Sequence, residues 1–231
     1  MTVASRRFGV LPLFILLTLS LASAEAEDFT FSAESMSGTM TKGKENAVLV
    51  GSAVVVSGAM TIRADRIVLY GVDFRFADCT GRVTVVDDDR GLRLSTERLF
   101  YDRTEKISRL TGPSVMEDRK NHVVVKGNYI EHDERRDIAV IQINVRILKD
   151  DISCRAEFVR FDRGANGLEL SGSPYVKRGT DEYRARLIIV DLDTEDIRLE
   201  GAVSGSVNGD SEATDQGAAT APADSGQESA P

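Results

Sequence analysis

The sequence predicts an all-β protein: an elongated stack of about twelve antiparallel strands, each creased in the middle and built from repeats of roughly thirty residues. Three observations predict it. Short apolar strings recur at a fixed period, their alternation slips by one residue at a small side chain, and a second set of strings centred on glycine interleaves with the first.

The first set starts with residues 29–36 and is echoed by 60–69, 92–102, 123–133, 152–162 and 181–191, six copies spaced 29 to 32 residues apart. Apolar residues alternate within each copy, which is strand periodicity. In Ile62-Arg63-Ala64-Asp65-Arg66-Ile67-Val68-Leu69 the phase changes: Ile62 and Ala64 share one parity, Ile67 and Leu69 the other. The same slip falls at Thr96, Gly127, Ala156 and Ala185. An extra residue at each slip bends the strand and returns the next apolar residue to the inner face, so each strand is expected to fold across two half-sheets.

The second set is built around Gly51, Gly81, Gly112, Asn144, Gly172 and Gly201, with Leu49, Cys79, Leu110, Leu170 and Leu199 two residues before. Glycine inside a strand marks a bend or bulge, so this set is expected to crease as well. The connectors fit a meander. Residues 57–59, 87–91, 118–122, 149–151 and 178–180 turn at one side; 102–106, 133–137, 162–167 and 191–196 turn at the other. All are short and rich in Asp, Gly, Ser and Asn. Eleven spacings of about 4.8 Å give a body roughly 50 Å long. Its inside reads either as an apolar trough between two half-sheets or as an ordinary packed core, and periodicity does not separate the two.

The two ends read differently from the body. Residues 1–24 read as a signal peptide: Arg6 and Arg7, then the apolar run 8–21, then Ala22-Ser23-Ala24 as a small-residue cleavage site. That run is short for a membrane span, and the alternative is an uncleaved anchor. Residues 25–203 form the expected β-domain. From 204 to 231 the chain is Ala, Ser, Gly, Asp and Pro with one large aliphatic, Val207, and reads as a disordered acidic tail. With 29 basic and 37 acidic residues the net charge is −8, and no basic block interrupts the acidic background, so the chain is not expected to bind nucleic acid.

An enzyme is hard to build from this inventory, and no cofactor or metal is expected. The two histidines, His122 and His132, and the two cysteines have no ligand-like spacing. His132 reads as a partly buried, hydrogen-bonded residue at a strand end. Glu34, Asp65, Glu97 and Glu157 fall next to the slip once per repeat and read as a solvated outer ladder. Cys79 and Cys154 occupy inner positions about five strand spacings apart, or about 24 Å. A disulfide requires Cα atoms within about 7 Å, so no disulfide is expected.

The strings Phe31-Ser32-Ala33-Glu34-Ser35-Met36, Gly51-Ser52-Ala53-Val54-Val55-Val56-Ser57-Gly58 and Ile62-Arg63-Ala64-Asp65-Arg66-Ile67-Val68-Leu69-Tyr70, continued by Leu99-Phe100-Tyr101-Asp102, resemble the OstA-like (LptA-type) family of lipopolysaccharide-transport proteins. The resemblance covers 29–203 and implies a bent antiparallel β-jelly roll. It also implies a groove that holds acyl chains, and end-to-end stacking with copies of the chain or with transport components bearing similar edges. The lipid-binding residues expected on the inner face are Phe29, Phe31, Met36, Ile62, Ile67 and Leu69 from the first repeats. Leu94, Leu99, Tyr101, Val125 and Ile130 follow from the middle, and Val159, Phe161 and Ile188 from the end. The expected function is a periplasmic bridge carrying lipopolysaccharide or a related acylated glycolipid from inner to outer membrane. The alternatives are a structural or adhesive β-solenoid with a packed core, and a membrane-anchored relay of the same machine.

Overall fold

The structure is a computed structural model and describes residues 28–208; the expected signal peptide and the expected tail beyond 208 lie outside the described residues. Sixteen strands pair into one antiparallel sheet. β1 (Phe29–Ser32) and β2 (Ser35–Thr39) open it. The long strands follow in ladder order: β3 (Asn46–Ser57), β4 (Met60–Tyr70), β5 (Phe76–Asp87), β6 (Leu92–Asp102), β7 (Ile107–Asp118), β8 (Val123–Asp133), β9 (Ile138–Lys149) and β10 (Ile152–Asp162). The sheet ends with β11 (Gly167–Ser171), β12 (Tyr175–Arg178), β13 (Asp181–Arg184), β14 (Leu187–Asp191), β15 (Ile197–Glu200) and β16 (Ser204–Ser206).

The short strands are halves of creased ones. β1 pairs the second half of β3 and β2 its first half. β12 and β11 divide β10 in the same way, and β13 with β14, then β16 with β15, continue each half outward. Counted as creased strands the sixteen make twelve, the expected architecture.

Each crease sits where the alternation slips. Pairing registers jump between Val50 and Ala53, Arg63 and Arg66, Thr80 and Val83, Ser95 and Arg98, Thr111 and Ser114, and Ala156 and Phe158. In the glycine set two consecutive residues take the left-handed region at most creases, such as Gly81 (φ 74°) with Arg82 (40°) and Gly172 (73°) with Ser173 (59°). The fourth crease differs from expectation. Ile143 (67°), not Asn144 (56°), fills the glycine column, which places a β-branched residue where it is strained. Asn144 corresponds to the residue after glycine elsewhere. Space matters as well as φ: a Cβ on Gly172 would lie 2.8 Å from the Cβ of Glu157, and one on Gly81 2.5 Å from the Asp65 carboxylate.

The β-domain also runs past its expected end at residue 203. Ser204–Ser206 form β16 and pair with β13, because Gly201 (71°) and Ala202 (52°) are the last crease and the strand resumes after them. Ser-Gly-Ser carries no apolar alternation, so nothing in those three residues announces a strand.

Candidate functional site

One apolar core runs the length of the stack between the two half-sheets. The first half-sheet comprises β1, β12, β13, β16 and the halves of the long strands that pair with them. The second comprises β2, β11, β14, β15 and the complementary halves. Cross-strand register places all fourteen expected lining residues on the inner face. Ile62, Ile67, Leu69, Leu94, Leu99, Tyr101, Val125, Ile130, Val159, Phe161 and Ile188 are buried there. Phe29 is half-buried. Phe31 (43% exposed) and Met36 (41%) share the face with Val55 and Leu49, yet are open because, among the described residues, no strand lies beyond β1 and β2.

The interior is full. Of the trough and the packed core, the structure shows, among the described residues, side chains filling the space between the half-sheets, and narrow clefts along the mouth. The first is lined by Phe29, Val55, Met60, Ile62, Leu69 and Tyr101, with Arg103 at its rim. The second continues past Met60 to Leu94, Ser108, His132 and Glu134. The cavity in each is about 10 Å³, room for roughly one water and far less than an acyl chain.

The turns that close the mouth arise from one repeated device. An aspartate ends most strands and accepts hydrogen bonds from the backbone of its own turn. Asp102 Oδ1 accepts from Thr104 and Glu105 N–H, Asp118 Oδ1 from Lys120 and Asn121, Asp133 Oδ1 from Arg135 and Arg136, and Asp191 Oδ1 from Asp193 and Thr194. These carboxylates are occupied by turn geometry. Two N–H donors hold Asp191 below the usual carboxylate range.

The residue after that aspartate seals the mouth. Arg103, Glu134, Arg163 and Leu192 occupy this column, and each donates its N–H to the carbonyl of a preceding turn residue, Arg75, Lys106, Asp137 and Asn166 respectively. Arg103 stacks over the Phe29 ring at 4.5 Å, and Phe74 meets Phe29 edge-on at 5.9 Å. Glu134 is buried and lies 3.6 Å from Arg90; burial raises its pKa despite the attraction of Arg90.

Arg163, with a side chain only 3% exposed, donates from Nε to Asp118 Oδ2 at 2.7 Å and from Nη1 to Asp137 Oδ1. Its Nη2 reaches the Arg90 carbonyl at 3.3 Å, and its own carbonyl accepts from Asn121 Nδ2. His132 Nε2 lies 3.4 Å from Asp137 Oδ1, and that bond, with Arg163, holds the Asp137 carboxyl low. Asp118 and Asn121 belong to the first half-sheet, Arg163 and Asp137 to the second, so this group ties the two together. Sequence reasoning placed these residues in short polar turns. The available signal was Leu192, an apolar residue in the same turn column.

The acidic candidates stay outside the interior, and the two cysteines lie within it. Asp65 faces out and pairs with Arg82 at 2.6 Å, while Glu34, Glu97 and Glu157 are exposed on the crease ridge. Cys79 on β5 and Cys154 on β10 are buried free thiols whose pKa values desolvation pushes up to about 12.

Residues 32–138 match the model of the family described as LptA/(LptD N-terminal domain) LPS transport protein. Over that segment, a little under half of the chain, the sequence is similar to this family. LPS transport proteins are a transport family and not a family of enzymes, in keeping with aspartates committed to turns and a core built of aliphatics. No curated protein matches the chain. Among solved structures it is similar to a crystal structure of LptH, described as the LptA homologous periplasmic component of the conserved lipopolysaccharide transport device from Pseudomonas aeruginosa. Identity is 10%, the match covers 79% of this chain and 96% of that one, and the TM-score is 0.24. A score that low carries no argument, and the fold assignment rests on the strand pairing itself.

Proposed function

We propose that the chain is a periplasmic bridge in LPS export that holds acyl chains of lipopolysaccharide, or of a related acylated glycolipid, between its half-sheets. The observation that supports it is an unbroken apolar interior whose inner face lies open at the β1/β2 end, where Phe31 and Met36 are exposed. Because the interior is filled, a chain enters by parting the half-sheets and not by occupying a standing trough. One fourteen-carbon chain gains about 10 kcal/mol gross from burial at about 0.8 kcal/mol per methylene, before the core contacts it displaces are counted. Transfer between equal sites needs no large free-energy drop, so net direction comes from other components of the export machine. Residues 1–24 act as a cleaved signal in this reading, and the intact mass of the exported protein distinguishes cleavage from a retained anchor.

The filled interior favours a second reading, a scaffold whose core never admits ligand. Photocrosslinkers at Leu69 and Tyr101, on the inner face, and at Arg66 and Arg98, exposed on the outer face, separate the two. The carrier labels copurified lipid from Leu69 and Tyr101 only. A scaffold labels from none of the four.

A further inference from the structure

The mouth of the interior is closed in two different ways along its length. Toward β1 the seal is aromatic, Arg103 over Phe29 and Phe29 against Phe74, with the first cleft behind it; over the second cleft the contact is the longer Arg90–Glu134 pair at 3.6 Å, whose arginine side chain is 38% exposed. Where β7 faces the β10–β11 turn it is ionic and buried. Arg163 donates to Asp118, whose side chain is fully buried, and to Asp137; on the first half-sheet the Arg90 carbonyl accepts from Arg163 Nη2, and Asn121 Nδ2 donates to the Arg163 carbonyl. Next along the column, Leu192 is buried and its carbonyl accepts from Lys149 across the same mouth.

Parting the half-sheets on the β1 side slides aromatic faces over one another. On the other side it must first separate the desolvated Arg163 from Asp118, which leaves the buried Asp118 carboxylate without its counter-charge, while Asp137 stays with Arg163 on the second half-sheet. Sliding is the easier motion by a wide margin. Resting on the carrier reading above, we propose that the cluster of Arg163, Asp118 and Asp137 is a gate across the interior. Closed, it confines an acyl ligand to the space between β1 and β8; parted, it opens the half beyond β10. A chain built this way loads from its β1 end and stalls at Arg163 until the cluster separates, which gives the bridge a stop midway along each copy.

The test uses the full mature chain in two forms, native and Asp118→Asn/Arg163→Gln, which keeps hydrogen-bonding groups in place without the charges. Spin labels on cysteines introduced at His122 and Ala165, exposed turn residues on opposite sides of the mouth, report its width. The native thiols at Cys79 and Cys154 stay silent because they are buried. A benzophenone amino acid at Phe29 or Phe161 then reports which compartment holds copurified lipid, with circular dichroism checking the fold of each variant. The gate predicts a narrow label distance in the native chain and a broad, longer one in the double variant. It also predicts labelling at Phe161 at least fivefold higher in the double variant, with labelling at Phe29 unchanged. Equal labelling at Phe29 and Phe161 in the native chain, or an unchanged distance in the double variant, overturns the gate and leaves the carrier reading standing. No labelling at either position in either form removes the carrier reading, and the gate with it.

Discussion

Glu134 shows how one residue's surroundings set its cost. Its carboxylate lies under the mouth beside Leu92, Leu94 and Ser108, with Arg90 at 3.6 Å and Lys106 offering opposite charge. Burial therefore raises its folded-state pKa above the value near 4.3 of an unfolded chain. The folded protein then takes up this proton first as pH falls, so stability attributable to Glu134 is lowest at neutral pH and recovers as pH drops through the raised pKa. Asp137 works in the opposite sense. Its depressed pKa stabilises the fold above about pH 4, and that contribution is lost as acid titrates it. Glu134→Gln should therefore melt higher than the native chain at pH 7.5, by one to a few degrees. The difference should shrink as pH falls through the raised pKa and the native glutamate takes up its proton. A melting difference that stays constant across this range would mean that the glutamate's charge is not what costs stability.

At the scale of the creased strand, the same device recurs with one flaw. Five of the six creases in the glycine set have Gly in the left-handed region; the sixth has Ile143 there, 51% exposed and pointing away from the core. A non-glycine residue in this region costs about 1 to 2 kcal/mol, offset in part by the extra chain entropy that glycine loses on folding. Little apolar burial is forfeited, because the side chain faces solvent. Ile143→Gly should thus stabilise the protein by about 1 kcal/mol, a rise in melting temperature of about 2 to 4 °C. Thermal unfolding followed by circular dichroism checks it; a fall in melting temperature would show that the exposed isoleucine makes a contact that outweighs its backbone strain.

The strand scale is also where sequence and structure agree most closely. Parity slips at Ala64, Thr96 and Ala156 placed the creases because a one-residue shift moves every later side chain to the other face, a signal that leaves no latitude. The same parity placed Ile67, Leu99, Val125 and Phe161 on the inner face. Asn144 was misplaced in the glycine column because residue type, and not spacing, was followed there. Spacing alone, 31 residues from Gly112, points to Ile143. Arg163 and Asp118 were out of reach for a different reason. Turn residues reveal their own local bonds, as the strand-ending aspartates do, but whether two turns from different half-sheets meet depends on how far the crease closes, and that angle is not written in any one strand.

For the molecule as a whole, the open question is what meets its ends. Among the described residues β1 and β2 pair only with β3, β15 only with β14, and β16 only with β13, so within them both terminal creased strands offer an unpaired edge. Free edges are templates for strand addition. The directions also fit. The first creased strand runs from the first half-sheet to the second, and the last runs from the second to the first, so one copy's β15/β16 can pair antiparallel with the next copy's β2/β1 while the interiors join. The two edges differ in sequence, which makes the contact heterologous and open-ended. Ser37 and Arg198 are exposed on the outer face of the second half-sheet at the two ends, and that pairing brings them to adjacent strands. Mixing Ser37→Cys protein with Arg198→Cys protein and a short bismaleimide should give a crosslinked dimer, while either protein alone should give far less. Removing residues 209–231 leaves β16 in place and isolates the effect of the acidic tail: a higher crosslinking yield without it means that the tail limits growth, and an equal yield means that it is a passenger. Crosslinks only between like cysteines would indicate a closed twofold dimer, in which the two interiors meet at one end and no continuous path forms.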